Sequence, residues 1–525
     1  MTRRGRAFLF AAGAGTLIAL CWLPTGLAPL MPLSALMMMR ALRGIDSRRD
    51  AVRLGLVFGL LRYAVASHFL LALLRYSSLA VALYLMAIAF ILPLAMLEAW
   101  GAMVLEQRAR LPRTAGFGLL YVAFEKLRTV SDLSFPADLL AHGFGTNPSF
   151  LAWTPYYGTF GVSLSVMITA LLLDAAIEAW PRRATAAAWA AAALAFWSAP
   201  PVFDALTRGG GEPPQAALTV GIVQPDTPIE EKIRPDRRAA ILAQLRTMTL
   251  EVAPGTDLVV WPETARPGLV AIREGDRVED PEVAEIAREA GRPILYGAVL
   301  AELEGREVRA LYNGAVLAGA DGTISQWYGK RRLLPFVEAV PFARLVGFDP
   351  RQRARSGPNR SVLSLLGNFT PGPKPTVFTI GRARLGVLIC YEGFYPGLVR
   401  DYELAGANAL AVLTNDSWWG WSAFGSWHAR MIAARAREYE LPVVRAANGG
   451  VSSTTDQRGR LGVRSGVSER RVLKVPLAPA TGEPTVYARF GDWVFVPMIL
   501  APVVTWIRSR RRTSGEVRAA TEGGS

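Results

Sequence analysis

A chain of 525 residues that is 51% hydrophobic, with a mean hydropathy of +0.25, is too apolar for an ordinary soluble protein and long enough for two or three domains. Its net charge of +15 and pI near 10.2 suit either nucleic acid or an anionic membrane surface; the arginines cluster beside apolar segments, which favours the membrane and argues against nucleic acid. Two cysteines cannot build a disulfide framework, and with His68, His142 and His428 they make no zinc spacing. No phosphate-binding glycine motif opens a suitable helix, so neither a metal nor a nucleotide cofactor is expected.

A bilayer-spanning helix needs about 20 mostly apolar residues. Seven candidates precede residue 206, near 7–23, 26–42, 54–74, 79–104, 114–130, 157–179 and 184–205, and an eighth runs over 490–507. The first follows Arg3, Arg4 and Arg6, as a signal peptide would. It lacks a convincing small-residue cleavage site and is followed at once by a second span, so it reads as a retained helix. Positive charge then alternates between loops. It is dense before the first span, around Arg40–Arg53, at Arg108–Arg113, at Arg182 and Arg183, and at 508–512, and sparse in the loops between. Because positive charge marks the cytoplasmic side, both termini are expected in the cytoplasm and residues 206–489 outside it. Glu98, Glu125, Arg128, Asp174 and Glu178 fall within or at the ends of spans, where charge is expensive. Glu125 and Arg128, three residues apart on one helix face, suit either a structural pair or contact with a lipid headgroup.

Residues 206–216, with Gly209-Gly-Gly211 and Pro213-Pro214, read as a linker. The chain then changes character. Strands are expected at 218–223, 257–261, 293–299, 312–318, 323–328, 376–380, 384–389, 409–414 and 443–447. Helices are expected at 234–252, 280–290, 397–405 and 423–440, with further β structure to the end of the domain. This alternation predicts an α/β domain with a largely buried sheet. The domain plan is a helical bundle over 1–205, a linker over 206–216, a catalytic domain over 217–480, a last span over 490–507 and a basic cytoplasmic tail over 508–525.

Three residues stand at predicted strand ends, where α/β proteins place chemistry. Glu263 follows Leu258-Val-Val-Trp-Pro262, Lys330 follows Tyr328-Gly329, and Cys390 follows Leu385–Ile389. Singly, Glu263 suits a helix cap, Lys330 a basic patch with Arg331 and Arg332, and Cys390 a core position. Together they make a nucleophile with its activators. A thiol needs a base to take its proton, and an ammonium nearby lowers its pKa and stabilises a developing oxyanion. The product of such an attack is a thioester.

Trp261-Pro-Glu263, Tyr328-Gly-Lys330 with Leu334-Pro-Phe336-Val-Glu338, Cys390-Tyr-Glu392, and Asn415-Asp416 before Trp418-Trp419-Gly420 resemble the nitrilase superfamily with its Glu-Lys-Cys triad. With helical spans before and after, the whole chain resembles the bacterial apolipoprotein N-acyltransferases. The resemblance implies a polytopic helical membrane bundle of about eight spans, joined to an extramembrane nitrilase-like α/β domain built as a four-layer α-β-β-α sandwich. It implies a bacterial inner-membrane enzyme with its catalytic domain on the periplasmic side. It also implies a ping-pong reaction without a cofactor. Cys390 takes an acyl chain from a phospholipid, usually phosphatidylethanolamine, and passes it to the amino group of a diacylglyceryl-modified lipoprotein cysteine. In that scheme Glu263 is the base, Lys330 the oxyanion partner and Glu338 a second acid, with Tyr391, Glu392 and Asn313 in support.

The loops after Cys390 and Glu338, and the aromatic Trp418-Trp419-Gly-Trp421, depart from the commoner family pattern, which leaves acyl-chain and headgroup preference open. Trp418, Trp419, Trp421 and Phe424 suit a membrane-facing mouth, although some of them suit the domain core. Residues 351–375, rich in Arg, Gly, Pro and Ser, read either as a mobile loop forming a lid over the site or as a disordered insertion. Three other functions compete: a membrane-tethered amidase of the same superfamily, a transporter or channel whose outer domain binds a ligand, and a structural scaffold for envelope proteins, which would leave the triad unexplained. The first does not need seven preceding spans, and the second lacks internal repeats and paired broken helices.

Overall fold

The computed structural model describes the chain except residues 77, 131–133, 135, 208–217, 306, 336, 343–368, 421, 501–502 and 504–525. Most of the expected loop at 351–375, and Trp421, therefore lie outside the described residues. The chain divides into two units. One comprises Met1–Thr129, Asp138–Thr207 and Phe490–Ser525, and the other Val130–Ala137 with Arg208–Arg489.

The first unit is helical. Helix α1 (Arg3–Trp22) is capped by Thr2, whose side chain accepts from Gly5 N, and α2 (Met31–Arg43) follows. Ser47 caps α3 (Arg48–Ala66), which continues after a 43° bend into a 3-10 turn at His68–Arg75. Then come α4 (Leu79–Ala109), α5 (Arg113–Leu127), a single turn α6 (Leu140–Gly143), α7 (Thr154–Glu178) and α8 (Arg183–Leu206). Close packing depends on small residues. A Cβ on Gly55 of α3 would meet the Ala95 carbonyl oxygen of α4 at 2.5 Å.

Among the described residues, four helices are long and apolar enough to cross a membrane: α1, α4 from Ala80, α7 and α8. The bent α3 pair makes a fifth. Eight spans were expected, and these five are the ones the described residues show by length and composition. Helices α2, with 13 residues, and α5, with 15, rise only about 20–23 Å, short of the roughly 30 Å hydrocarbon thickness. Their apolar stretches spilled in the sequence into flanking turns. The eighth stretch, 490–507, is described only in part.

Most of the charges expected within or at the ends of spans are paired, Glu98 excepted. Asp174 is buried and takes Arg43 Nη2 at 2.7 Å and Arg40 Nη1 at 3.2 Å, while Glu178 also pairs with Arg40. Arg128 does approach Glu125, at 3.9 Å, but its nearer partner is Asp138 at 2.6 Å, which Arg62 shares at 3.0 Å.

The second unit is α/β. Its first sheet runs β14-β1-β2-β5-β3-β4, with β6 on β5 and β7 on β6. The strands are β1 (Leu218–Gln224), β2 (Leu258–Val260), β3 (Leu269–Arg273), β4 (Arg277–Glu279), β5 (Ile294–Glu304), β6 (Glu307–Ala318), β7 (Ile324–Gly329) and β14 (Arg471–Leu477). Strand β5 is long enough to pair in parallel with β2 through Ile294 and Leu295, and with β3 through Val299–Glu302. The second sheet runs β13-β12-β11-β10-β9-β8. Its strands are β8 (Val377–Ile380), β9 (Ala383–Ile389), β10 (Ala409–Asn415), β11 (Val443–Asn448), β12 (Ser453–Thr455) and β13 (Leu461–Arg464).

The two sheets face each other through β1 with β11 and β6 with β9. Outside the first sheet lie α10 (Arg238–Val252) and α11 (Pro281–Ala290), after the single turn α9 (Ile229–Lys232). Outside the second lie α12 (Pro396–Leu404) and α13 (Phe424–Glu438). The order is α-β-β-α. β9, β10 and β11 are parallel neighbours whose residues are almost all buried, which is why they read as continuous apolar runs. The β3–β4 hairpin was not expected, because its short strands carry exposed charges such as Arg273 and Arg277.

Candidate active site

The C-terminal ends of β2, β7, β9 and β10 deliver the residues that matter. Beyond β2 the chain turns at Trp261-Pro-Glu263. Gly297 of β5 lies directly against this turn, and a Cβ there would meet the Pro262 carbonyl at 2.5 Å and Glu263 Cα at 2.6 Å. Only glycine lets the carboxylate loop sit so close to the sheet. Buried Glu263 accepts Asn313 Nδ2 at Oε1 (2.7 Å) and the Asn415 backbone N–H at Oε2 (2.8 Å). The second bond ties the first sheet to the end of β10 in the other.

Lys330 follows β7 and is buried. Its ammonium lies 2.9 Å and 2.8 Å from the two oxygens of Glu338 and 3.7 Å from Glu263 Oε1. Glu338 also accepts Asn313 Nδ2 at 2.8 Å and Leu334 N–H at 2.8 Å. Asn313 thus clamps both carboxylates. Burial alone would lower the Lys330 pKa, but Glu338 and then Glu263 outweigh it and hold the lysine above its ordinary value, charged at any working pH. Burial pushes Glu263 up from the usual carboxylate range, with Lys330 opposing.

Cys390 begins a 3-10 turn, Cys390–Phe394, and is partly exposed. Its φ is +52°, in the left-handed region, a conformation that costs about 1–3 kcal/mol for a residue with a side chain. The carboxylate of Glu392 holds the turn from beneath. Fully buried, it accepts Ile389 N–H (2.9 Å), Arg331 N–H (2.7 Å), Arg332 N–H (3.1 Å) and Tyr328 O–H (2.8 Å). Glu392 therefore joins the Lys330 loop to the Cys390 turn and does not reach toward the thiol. Burial, then the negative charge of Glu263, raise the Cys390 pKa, while Lys330 pulls it down. The resting sulfur is a thiol that needs a base. Tyr391 donates to the Ser134 carbonyl at 2.7 Å, and the Tyr395 and Ser134 hydroxyls lie 2.6 Å apart. Ser134 comes from the segment Val130–Ala137, a contact no sequence signal announced.

A second buried group stands at the end of β10. Asp416 accepts Thr414 Oγ1 (2.9 Å) and pairs with His428 Nδ1 (2.9 Å) and Arg445 Nη2 (2.7 Å). Burial works against this carboxylate, but Arg445 and His428 hold it well below the usual range. His428 in turn hydrogen-bonds the Cys390 backbone, and Thr414 the Cys390 side chain. The sequence offered Asn415-Asp416 as a motif but gave no sign that His428 and Arg445 would meet it. Trp418 and Trp419 are half-buried. Phe424, expected at a membrane-facing mouth, is instead core, packed against Trp419, Trp427 and His428. Among the described residues no three His, Cys, Asp or Glu side chains are grouped to hold a metal ion.

A family model described as carbon-nitrogen hydrolase matches residues 219–487, and one described as apolipoprotein N-acyltransferase N-terminal domain matches residues 14–172. The α/β unit is accordingly a carbon-nitrogen hydrolase domain carried on a chain with helices apolar enough to cross a membrane. Similar curated proteins include apolipoprotein N-acyltransferases of Geobacter metallireducens (28% identical, covering 97% of this chain and 96% of the relative) and Caulobacter vibrioides (30%, 78% and 77%). That of Brucella melitensis is 31% identical, covering 80% of this chain and 78% of the relative. The chain belongs to the apolipoprotein N-acyltransferase family. A solved amidase from Nesterenkonia sp. is similar at 19% identity over 53% of this chain and 95% of its own, with a TM-score of 0.37.

Proposed function

We propose that this enzyme moves a fatty acyl chain from a membrane phospholipid, through a thioester on Cys390, to the α-amino group of the lipidated N-terminal cysteine of lipoproteins, with phosphatidylethanolamine as donor. The observation that carries the reading is Cys390, a partly exposed residue at φ +52°, whose thiol feels the opposing charges of Glu263 and Lys330.

In the first half-reaction Glu263 takes the thiol proton as sulfur attacks the ester carbonyl. Lys330 donates to the oxygen as it gains negative charge. Collapse breaks the ester C–O bond, and the lysophospholipid leaves with the proton returned by Glu263. In the second, the lipoprotein amine attacks the thioester and Glu263 accepts its proton. The C–S bond breaks to leave an amide and the restored thiol. Glu338 and Asn313 keep the ammonium and the base in place. The raised pKa of Glu263 suits a base that must later act as an acid.

The arginine distribution supports both termini in the cytoplasm, with residues 217–480 on the outer side of the inner membrane, anchored by the helices of 1–205 and by 490–507. Incubation with phospholipid labelled in its acyl chain, followed by mass analysis, tests the reading. Label on a Cys390 peptide, released by hydroxylamine, is the expected result. No label on the protein, with hydrolysis of a soluble amide instead, would favour the amidase reading and overturn this one.

A further inference from the structure

Two lysines lie near Glu263, and they differ in one respect. Lys330 has Glu338 and Glu263 as acceptors or neighbours. Lys232, at the end of α9, has none: its Nζ is buried without a hydrogen-bond partner, although the residue as a whole is partly exposed. That is the reverse of ordinary lysine behaviour, in which the stem packs and the ammonium reaches water. A buried ammonium without an acceptor is unfavourable unless something anionic completes it. Burial lowers its pKa to about 8, only partly offset by Glu263. Its acidic neighbour Glu231 is turned to Arg237 at 3.0 Å.

The segment that carries Lys232 is fixed to the active site. Thr227 N–H donates to Asn448 Oδ1, and Asn448 Nδ2 donates to the Thr227 carbonyl, both at 2.8 Å. Asn448 Nδ2 also donates to Asn415 Oδ1 at 2.9 Å, and the Asn415 N–H holds Glu263. The Thr227 hydroxyl, like Lys232 Nζ, is buried with no partner. One short segment therefore presents an ammonium and a hydroxyl, both unsatisfied, through a hydrogen-bonded chain that ends on Glu263.

We propose that Lys232, with the Thr227 hydroxyl, forms an anion subsite for the phosphodiester of the acyl donor. The assignment rests on the acyl-transfer reading above. In a glycerophospholipid only the glycerol backbone separates the reacting ester from the phosphate, so a cation close to Glu263 suits the headgroup of an ester held at Cys390. A lysine is a compact point charge for phosphate, and a threonine hydroxyl adds a directed donor.

The test compares two acyl donors in the full-length enzyme: phosphatidylethanolamine, and a fatty acyl nitrophenyl ester that carries no phosphate. For Lys232→Met the ratio of kcat/KM for the phospholipid to that for the ester should fall at least tenfold, mostly through KM, and Lys232→Arg should restore much of it. Thr227→Val should lower the ratio less. An unchanged ratio in Lys232→Met, or an equal fall for both donors, overturns the subsite. Inorganic phosphate that inhibits wild type but not Lys232→Met, with the donor ratio unaltered, assigns the site to free phosphate and also overturns it. If wild type takes acyl groups from neither donor, the acyl-transfer reading itself fails.

Discussion

Each unit buries a cluster of charge, and the two are built differently. In the helical unit Arg62 and Arg128 share Asp138, with Glu125 and Glu98 nearby. Both Glu98 oxygens, Glu125 Oε2, Asp138 Oδ1, Arg62 Nη1 and two Arg128 nitrogens have no hydrogen-bond partner. Arg62 is held partly by the faces of Tyr63 and Tyr121, at 4.8 and 4.9 Å. In the catalytic unit every oxygen of Glu263 and Glu338 is engaged, by Asn313, Asn415, Lys330 and Leu334. The first cluster balances charge without holding each carboxylate oxygen. The second holds all four carboxylate oxygens, as suits groups that must meet a transition state without rearranging.

The comparison is broken most sharply by removing one residue from each side. Cys390→Ala should abolish acyl labelling while the thermal midpoint in detergent moves little. Arg128→Met should do the opposite. It leaves Asp138 short of a partner and costs about 3–5 kcal/mol of stability, with kcat per folded molecule preserved. Loss of acyl transfer without loss of stability in Arg128→Met would place that cluster in the chemistry.

Within the catalytic cluster, Glu263→Gln should slow acylation by about 10²–10⁴-fold and Lys330→Met by about 10²–10³-fold, read as single-turnover labelling rates. The pH dependence follows from the raised pKa of Glu263. Only the carboxylate accepts a proton, so the acylation rate should fall as pH drops through a value above 4.5, and this limb should vanish in Glu263→Gln. Asp416 behaves in the opposite sense. Its folded pKa is depressed, so its contribution to stability is present above its unfolded value of 3.8 and is lost as pH falls through the lower folded value. The stability deficit of Asp416→Asn, measured by thermal unfolding, should therefore shrink in acid. The smallest effect is expected at half-buried Trp419, where Ala should raise KM for phospholipid a few-fold with little change in kcat.

The candidate site was legible where it sat on local patterns. β2, β7 and β9 are apolar runs that stop abruptly at Glu263, Lys330 and Cys390, and the order of layers follows from alternating strands and helices. Contacts made across long sequence distances were not. Asp416 meets Arg445 through parallel pairing of β10 with β11, and Ser134 meets Tyr391 across a sequence separation of 257 residues. Lys232 was hidden within Glu-Glu-Lys-Ile-Arg, which looks like a solvated charge run. The described helices show fewer long spans than the hydropathy suggests for a different reason: hydropathy counts apolar residues in turns as readily as those in helices, and α2 and α5 are shorter than their apolar stretches.

The most direct test of the account is the fate of a preformed acyl group on Cys390. Enzyme is loaded with labelled phospholipid, freed of donor, and divided between buffer and a diacylglyceryl-modified lipopeptide with a free amine. The account predicts a thioester that persists in buffer and discharges to the lipopeptide, with all label recovered as an N-terminal amide. Label leaving as free fatty acid at the same rate with and without the lipopeptide would contradict it.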